Sequence, residues 1–269
     1  MIALELEHVS RDFTTPDGRG YRALDDISLS ISAGSFVAVV GPSGCGKSTL
    51  LNIAAGLQTP SAGTVRVEGE PLAGLNRRAT YMFQQDALLP WKTVRENVAL
   101  GLTLGGTAKP DAHARADAWL ERVGLAPFTA HYPSQLSGGM RKRVVMAQNW
   151  IIDRGIVLMD EPFSALDIHT RQQMETELLS LWEEGTANKT IVFVTHDLEE
   201  AIALADEVVV LSAGPAARIV ARHPVTLDRP RDLMELRTAP AFVDLYRAIW
   251  AVLREEVIKS RQAVEHGHA

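Results

Sequence analysis

The sequence predicts an α/β fold whose core is a mixed, largely parallel sheet, with an antiparallel β edge, an inserted helical subdomain and a C-terminal helical extension. Short, uninterrupted apolar runs are typical of strands that are buried on both faces, as in parallel sheets covered by helices. The chain has four of them: FVAVV (36–40), IVLM (156–159), IVFV (191–194) and EVVVL (207–211). Alternation of apolar and polar residues instead indicates a sheet with one solvent-exposed face. That pattern occurs in LELE (4–7), ISLSIS (27–32) and TVRVEG (64–69).

The inserted helical subdomain is predicted from the interval in which strand patterns fade, between residues 85 and 153. Within it, DAHARADAWLERVGL (111–125) predicts a helix that is capped by Asp111 and ends near Gly124. GGTAKP (105–110) is expected to be a flexible loop. The predicted domain organisation is an α/β core at 1–84 and 154–222, a helical subdomain at 85–153 and a C-terminal helical extension at 223–269.

The C-terminal extension is predicted to contain one long amphipathic helix. RPRD (229–232) marks a boundary, after which apolar residues recur at helical spacing on one face. They are Phe242, Leu245, Tyr246, Ile249, Trp250, Leu253 and Val257. This helix either packs back on the body of the protein or serves as a docking or regulatory element. His266 and His268 could hold a metal, or they could simply belong to a frayed terminus.

The composition is that of an ordinary globular protein of 269 residues, with 46% hydrophobic and 22% charged residues. Lys and Arg number 27 against 33 Asp and Glu, so the formal net charge is −6 and no nucleic-acid partner is expected. The single cysteine cannot form an internal disulfide, which fits a reducing compartment. The opening MIALELEHVSRDF lacks a basic n-region, so we expect no secretory signal. No apolar run approaches the roughly 18 residues that are needed to span a bilayer.

GPSGCGKST (41–49) follows the first apolar run and matches GxxxxGK[ST], the pattern of a phosphate-binding loop. Backbone N–H groups of such a glycine-rich turn surround an anion, and the helix that follows adds its positive N-terminal end. Lys47 is expected to reach the β- and γ-phosphates of a nucleotide, and the Ser48 hydroxyl to bind Mg²⁺. The predicted nucleotide-binding residues are Gly41, Pro42, Ser43, Gly44, Cys45, Gly46, Lys47, Ser48 and Thr49. The α/β core is thus predicted to be that of a P-loop NTPase.

Cys45 occupies a free position of this pattern, and its role has two interpretations. It is either a small residue that fits the loop, or a reactive thiol whose pKa is lowered by Lys47 and the helix N-terminus. The second interpretation predicts that maleimide labels Cys45 and that this labelling abolishes nucleotide binding. It also predicts that MgATP protects Cys45 from labelling.

Acidic and imidazole side chains follow two of the other apolar runs. Asp160 and Glu161 come after IVLM, and His196 comes after IVFV. Ligands of open α/β sheets bind at the carboxyl ends of the strands, so these residues and the phosphate loop should converge on one crevice. Asp160 suits the hydration shell of Mg²⁺, Glu161 suits a general base for the attacking water, and His196 can bind the γ-phosphate or orient that water. Asp197 and Glu200 are expected to form a capping box for the next helix.

LSGGMRKRV (136–144) predicts a second anion site. Ser137, Gly138 and Gly139 could open a helix with free backbone N–H groups. Basic residues in the first turns of a helix oppose its dipole, at about 0.3–1 kcal/mol each when exposed. Here they are Arg141, Lys142 and Arg143. The arrangement calls either for acidic partners or for an anion at the helix start.

Five motifs in this order, GPSGCGKST, LSGGMRKRV, IVLMDEP, SALD and VTHD, resemble those of the ATP-binding cassette (ABC) family over residues 1–220. The resemblance implies an ATPase that uses ATP and Mg²⁺. It also implies a head-to-tail dimer of two copies, in which each ATP lies between the phosphate loop of one chain and LSGGM of the other. By the same resemblance Phe13 stacks on adenine, with Tyr21 as the weaker candidate. Gln84 would contact Mg²⁺ and water and sense a membrane partner, and SALD (164–167) would communicate across the dimer.

ALLPW (87–91) and RPRDLMELR narrow the resemblance to the nitrate/sulfonate/taurine-type importers. ALLPW could be core, or Trp91 could mark a groove for a coupling helix. The resemblance implies a bacterial importer subunit that is peripheral at the cytoplasmic face of the inner (plasma) membrane. It would power uptake of a small solute through integral membrane permease subunits, and indirectly serve a solute-binding protein. The alternatives are a soluble non-transport ABC ATPase and a nucleotide-binding regulator that does not hydrolyse ATP, against which Glu161 and His196 argue.

Overall fold

The computed structural model describes residues 1–15, 18–184 and 189–265, which form two β-sheets and a set of α-helices. The strands are β1 (Ile2–Thr14), β2 (Gly20–Ser32), β3 (Phe36–Val40), β4 (Ala62–Val67), β5 (Glu70–Pro71), β6 (Ala79–Met82), β7 (Ile156–Asp160), β8 (Thr190–Val194), β9 (Glu207–Leu211) and β10 (Ile219–Pro224). The helices are α1 (Lys47–Ala54), α2 (Val94–Val98), α3 (Leu100–Leu104), α4 (Lys109–Arg122), α5 (Gly138–Trp150), α6 (Ile168–Glu183), α7 (Leu198–Leu204), α8 (Leu233–Leu236) and α9 (Pro240–Glu265).

The central sheet has six strands in the order β10-β9-β3-β8-β7-β6, and all of them except β10 are parallel. Alternate residues of β3 point to opposite faces, as the pleat of a strand requires. Phe36 and Val40 pack in the core that includes α6, α7 and α9, whereas Val37 and Val39 pack in the core that includes α1. The predicted α/β class and the burial of these strands on both faces are therefore confirmed.

The three alternating segments form a sheet of their own rather than an edge of the central sheet. Its strands are antiparallel, in the order β2-β1-β4-β5, and their apolar side chains face α1. The antiparallel edge strand of the central sheet is β10, which sequence reasoning missed. Its sequence, IVARHP, leaves it half-buried and gives no clear alternation.

The region between β6 and β7 is helical, as predicted, and has its own apolar core. Two local predictions there were wrong. α4 begins at Lys109, with Pro110 in its first turn, so Asp111 lies inside the helix and does not cap it. The loop predicted at 105–110 is correspondingly shorter. The end of the helix is as expected, because α4 stops at Arg122 and Gly124 adopts φ +72°.

The C-terminal helix α9 packs back on the body of the protein, the first of the two alternatives. Phe242, Ile249 and Leu253 are buried in the core shared with α6 and α7, and Trp250 stays partly exposed. No helix in the described ranges, including this 26-residue one, is long and apolar enough to cross a membrane. His266 and His268 lie outside the described residues.

Gly56, after α1, is the glycine with the tightest surroundings, and its replacement by alanine should be costly. The residue adopts φ +69°, and an added Cβ would overlap the Gly74 carbonyl oxygen. We expect Gly56→Ala to lower the free energy of unfolding by about 2–4 kcal/mol, the sum of a left-handed backbone cost and an overpacking cost. Urea denaturation would measure this. Gly69→Ala is the control, because Gly69 has φ +84° and open space, so only about 1–2 kcal/mol is expected. Equal losses would contradict the steric argument.

Candidate functional site

The phosphate loop and the predicted catalytic residues lie at the carboxyl ends of four adjacent parallel strands. β3 leads into the phosphate loop, β7 ends at Asp160, β8 precedes His196 and β6 precedes Gln84. Because β6, β7, β8 and β3 are neighbours in the sheet, their ends lie along one edge. Sequence reasoning expected three strand ends at this crevice, and β6 is the fourth.

The phosphate loop, residues 41–49, connects β3 to α1. Lys47 is buried at the first turn of α1, and its Nζ donates to the carbonyls of Gly41 and Pro42 at 2.9 Å each. Gly46 precedes the helix with φ +97°, where an added Cβ would come within 2.8 Å of Leu24 Cδ2. The loop therefore adopts a conformation that favours glycine at position 46, and the Lys47 side chain is held by two carbonyl oxygens of the loop.

Cys45 is packed inside this loop rather than presented to solvent. Only 1% of its surface is exposed, and burial raises the pKa of its thiol despite the nearby Lys47. An added Cβ on Gly41 would meet Cys45 Sγ at 2.8 Å, so the thiol fills the space under the loop. The interpretation of Cys45 as a reactive thiol of lowered pKa was wrong, and that of a small residue that fits holds.

Burial of Cys45 predicts slow chemical labelling. We expect maleimide to react with the native protein about 100-fold or more slowly than with the urea-unfolded chain, because labelling requires local opening. Mass spectrometry at timed intervals would measure this. A Cys45→Ala chain that carries Ser134→Cys, at an exposed position, should react at similar rates in both states. Rapid labelling of native Cys45 would contradict the structure.

Ser48 and Asp160 form a pair of oxygen ligands beside the loop. Ser48 Oγ donates to Asp160 Oδ1 at 3.0 Å, and burial raises the pKa of the Asp160 carboxyl. Tyr81 Oη lies 3.3 Å from Asp160 Oδ2 and 3.1 Å from Asn52 Oδ1, so it fixes the carboxylate. Sequence reasoning missed Tyr81 and Asn52, because nothing in their local patterns sets them apart from a strand and a helix.

These oxygens fit Mg²⁺, which is commonly held by one or two protein oxygens together with phosphates of the substrate. Groups of three or more His, Cys, Asp or Glu side chains that could enclose a metal do not occur among the described residues. A cation at Ser48 and Asp160 would therefore depend on further oxygens from a bound nucleotide.

Glu161, His196 and Gln84 meet on the other side of Asp160. Glu161 Oε2 lies 3.0 Å from His196 Nδ1 and accepts from Gln84 Nε2 at 3.3 Å. Glu161 has φ +43°, and its backbone N–H donates to Val194 at 2.9 Å, which extends the β7–β8 pairing by one residue. A non-glycine residue in this region is uncommon and directs the side chain away from the path of the strand. The Glu161 carboxylate therefore lies between the side chains of His196 and Gln84.

The helix after His196 is capped differently from the prediction. Asp197 accepts from the N–H groups of Glu199 and Glu200 at 2.9 and 3.3 Å, as an N-cap should. Glu200 does not complete a capping box, because its carboxylate accepts from Thr195 Oγ1 at 2.7 Å instead. Burial raises the pKa of Glu200 to about 7.

The segment LSGGM opens α5, with Ser137 as its N-cap residue. Ser137 Oγ caps the helix by accepting from Met140 N–H at 3.3 Å, and an added Cβ on Gly139 would come within 2.7 Å of Thr170 in α6. Within the part of the chain that the structure describes, no hydrogen bond joins residues 137–139 to residues 41–49.

The basic residues of α5 have acidic partners, one of the two explanations for their position. Lys142 lies 2.8 Å and Arg141 3.3 Å from Asp86, and Arg143 pairs with Glu177. Buried Lys142 also donates to the Gln84 carbonyl at 3.0 Å. Helix α5 is thus joined directly to the loop that carries Gln84.

The candidate adenine-binding aromatics lie opposite each other on β1 and β2. Phe13 and Tyr21 are paired in the ladder, and their rings stack with centroids 5.4 Å apart at an angle of 19°. Arg11 Cζ lies 4.7 Å from the centroid of Phe13, so that ring is more enclosed than the exposed Tyr21. Neither ring is singled out by this geometry as the one that meets a base.

Comparison with known proteins identifies the family. The family model described as ABC transporter matches residues 24–164, which include the phosphate loop, LSGGM and Asp160–Glu161. The chain belongs to the ABC transporter family. It is 43% identical to an uncharacterized ABC transporter ATP-binding protein of Methanocaldococcus jannaschii, over 96% of this chain and 94% of that protein.

Two named relatives of this ABC protein are import subunits. It is 48% identical to the taurine import ATP-binding protein TauB of Yersinia pestis, over 73% of this chain and 76% of that protein. It is 39% identical to the nitrate import ATP-binding protein NrtC of Synechococcus elongatus, over 95% of this chain and 39% of that longer protein. The predicted resemblance to nitrate- and taurine-type import ATPases is confirmed.

The fold of this ABC protein matches solved cassettes. One is described as the dimeric structure of a post-hydrolysis state of an ATP-binding cassette bound to ADP and Pi. It has a TM-score of 0.72 and 32% identity, and the match covers 84% of this chain and all of that one. The chain is thus an ABC ATPase that binds and hydrolyses ATP, and the alternative of a non-hydrolysing regulator is not supported.

Proposed function

We propose that this ATPase powers uptake of a small solute, of the nitrate, sulfonate or taurine class, through separate permease subunits of a bacterial membrane. The observation that carries the proposal is the similarity to two import ATP-binding proteins, which extends over 73% and 95% of this chain. The protein would act at the cytoplasmic face of the inner membrane as a peripheral subunit. A solute-binding protein would be an indirect partner, and nucleic acid would not be one.

The site geometry supports a division of roles in hydrolysis. The backbone N–H groups of residues 41–49 and Lys47 bind the phosphates, with the start of α1 adding positive potential. Glu161 accepts a proton from the attacking water, and His196, at 3.0 Å from Glu161, orients the γ-phosphate or that water. Ser48, Asp160 and Gln84 would hold Mg²⁺, which when bound supplies charge neutralisation at the phosphate oxygens.

The second anion site supports a dimer of this chain. Within the described residues, Ser137, Gly138 and Gly139 make no hydrogen bond to the phosphate loop of their own chain, and we assign them to the ATP site of a second copy. Solved cassettes with this fold include a dimer bound to ADP and Pi. Phe13, with Tyr21 stacked on it, would contact the adenine.

An exposed apolar groove supports a membrane partner. It is a cavity of about 350 Å³ between the α/β core and α3 and α5. The lining includes Leu57, Leu75, Phe83 and Leu104, all of which are exposed. Exposed apolar groups of this extent mark interaction sites. Trp91, 71% exposed, belongs to the same helical region but does not line this cavity.

A soluble non-transport ABC ATPase remains the alternative function. It would use the same hydrolysis site but would not need a permease groove. The apolar groove beside Gln84 favours the transporter, because a helix of a permease docked there would lie next to the hydrolysis site.

Gentle detergent pull-down of the tagged protein from its native membranes would test the proposal. We expect a permease subunit to co-purify in about equal amount. Leu104→Glu, at an 81% exposed groove residue, should abolish this recovery, whereas Met234→Glu, at a 74% exposed residue outside the groove, should not. Recovery of the ATPase alone, with ATP-dependent dimerisation intact, would contradict the importer and favour the alternative.

A further inference from the structure

The C-terminal extension holds the C-terminal end of α7. Buried Arg231 donates to the carbonyls of Ala203 and Ala205 at 3.0 and 2.8 Å, and Arg229 Nη2 donates to Leu204 at 2.7 Å. The last carbonyls of a helix have no partner within the helix, and a cation near them is favourable for the helix dipole. Two arginines of the extension therefore complete the end of α7.

The extension also holds the N-terminal end of α7, through Arg237 in the turn between α8 and α9. Arg237 Nη2 donates to Glu175 of α6 at 2.7 Å, and its Nε lies 3.5 Å from Glu199 in the first turn of α7. Glu175 is 0% exposed, and no other hydrogen bond reaches its carboxylate within the described ranges. Loss of Arg237 would leave a buried carboxylate without its ion-pair partner.

These contacts bear on the hydrolysis site because α7 starts next to His196. Asp197 is the N-cap of α7, and His196 precedes it directly. When a seven-residue helix is held at both ends, the residues at its start can move little relative to the rest of the protein. The extension therefore contacts both ends of the helix that begins directly after His196.

A separate contact reaches the phosphate loop. Buried Glu256 of α9 accepts from the Ala213 N–H at 2.8 Å. Ala213 and Gly214 follow β9, the neighbour of β3 in the sheet, and an added Cβ on Gly214 would lie 3.2 Å from the Gly44 carbonyl. The loop that Glu256 holds therefore lies directly against the phosphate loop.

We propose that the C-terminal extension braces the ATPase site, with Arg237 as a positioning residue for His196 and Glu256 as a positioning residue for the phosphate loop. The inference rests on the proposed roles of His196 and the loop in hydrolysis. It gives the extension a function in the chemical cycle of the ATPase itself. The two contacts act on different parts of the site, so their loss should have different kinetic signatures.

Steady-state ATPase assays and binding of a fluorescent ATP analogue would test the brace. Arg237→Met should lower kcat about 10-fold and leave nucleotide Kd within about 3-fold, because the phosphate loop is untouched. Glu256→Ala should weaken nucleotide binding about 10-fold and leave kcat at saturation within about 3-fold. Glu256→Gln keeps an oxygen acceptor for Ala213 and should restore binding, and Arg237→Lys should restore part of kcat.

Two controls separate the brace from general destabilisation. Lys259→Ala removes the exposed partner of Glu256 but leaves the Ala213 contact, so both constants should stay unchanged. Equal losses of kcat and affinity in Arg237→Met and Glu256→Ala, with a lowered Tm, would overturn the inference, as would no change in either. His196→Ala is measured in parallel: retained hydrolysis would refute the proposed role of His196, whereas lost hydrolysis beside an unchanged Arg237→Met would refute only the brace.

Discussion

Glu161→Gln should lower kcat for ATP hydrolysis by about 10²–10⁴-fold, the usual contribution of a general base. Glutamine has nearly the same shape, and its amide oxygen can still accept from Gln84, which lies 3.3 Å from Glu161 Oε2. It cannot take a proton from water. MgATP binding should be unchanged, because the phosphates meet the loop at 41–49 and not Glu161. We expect the variant to accumulate as an ATP-bound dimer, measurable by single-turnover assays and size-exclusion chromatography with ATP.

Glu121→Gln is the matched control for this variant. Glu121 is exposed on α4, and the same chemical change there should leave kcat within experimental scatter. Hydrolysis by Glu161→Gln at more than a third of the normal rate would refute Glu161 as the base. The water would then have to be activated by the substrate itself or by His196.

Lys47→Ala should weaken ATP binding by about 100-fold or more. A hydrogen bond to a charged group contributes about 1.5–3 kcal/mol, and a factor of 100 corresponds to about 2.7 kcal/mol. The variant also loses the two 2.9 Å hydrogen bonds from Nζ to the carbonyls of Gly41 and Pro42, which order the loop. Titration with a fluorescent ATP analogue would measure the affinity, and hydrolysis should fall with it.

Lys109→Ala removes the same charge at an exposed position of α4 and should leave ATP affinity unchanged. Normal ATP binding by Lys47→Ala would refute the proposal that Lys47 binds the phosphates of ATP. Circular dichroism would establish that both variants are folded.

The elements that could be predicted from sequence are those in which all the side chains have the same environment. FVAVV and IVLMD are buried on both faces, so every residue is apolar until the strand reaches the site. β6 and β10 escaped prediction because their sequences show neither pattern: ATYM mixes buried and half-buried positions, and IVARHP alternates between half-buried and exposed positions without alternating apolar and polar residues. The start of α4 was misplaced because Asp111 is a favourable cap by type, whereas Pro110 in the first turn decides where the helix begins.

Candidate site residues could be predicted where the proposed chemistry requires one residue type at one position. They could not be predicted where the property of a residue depends on neighbours that are distant in sequence. Lys47, Asp160, Glu161 and His196 follow strands whose ends must meet, and the structure places them together. The state of Cys45 depends on burial under Gly41, which no local pattern reveals. The contacts of Arg231 and Arg237 with α6 and α7 join segments about 30–60 positions apart and likewise leave no local pattern.

The parallel arrangement of the central sheet has a consequence for how the protein is made. The phosphate loop leaves the ribosome early, but Asp160 ends β7 and His196 follows β8, and both are synthesised more than 100 residues later. Pairing of strands so far apart along the chain is slow compared with local helix formation. A nascent chain therefore has the phosphate loop long before it has a nucleotide site. A ligand that binds the native state stabilises it by mass action, so we expect cellular ATP to stabilise the completed fold and not an early intermediate that lacks β7 and β8.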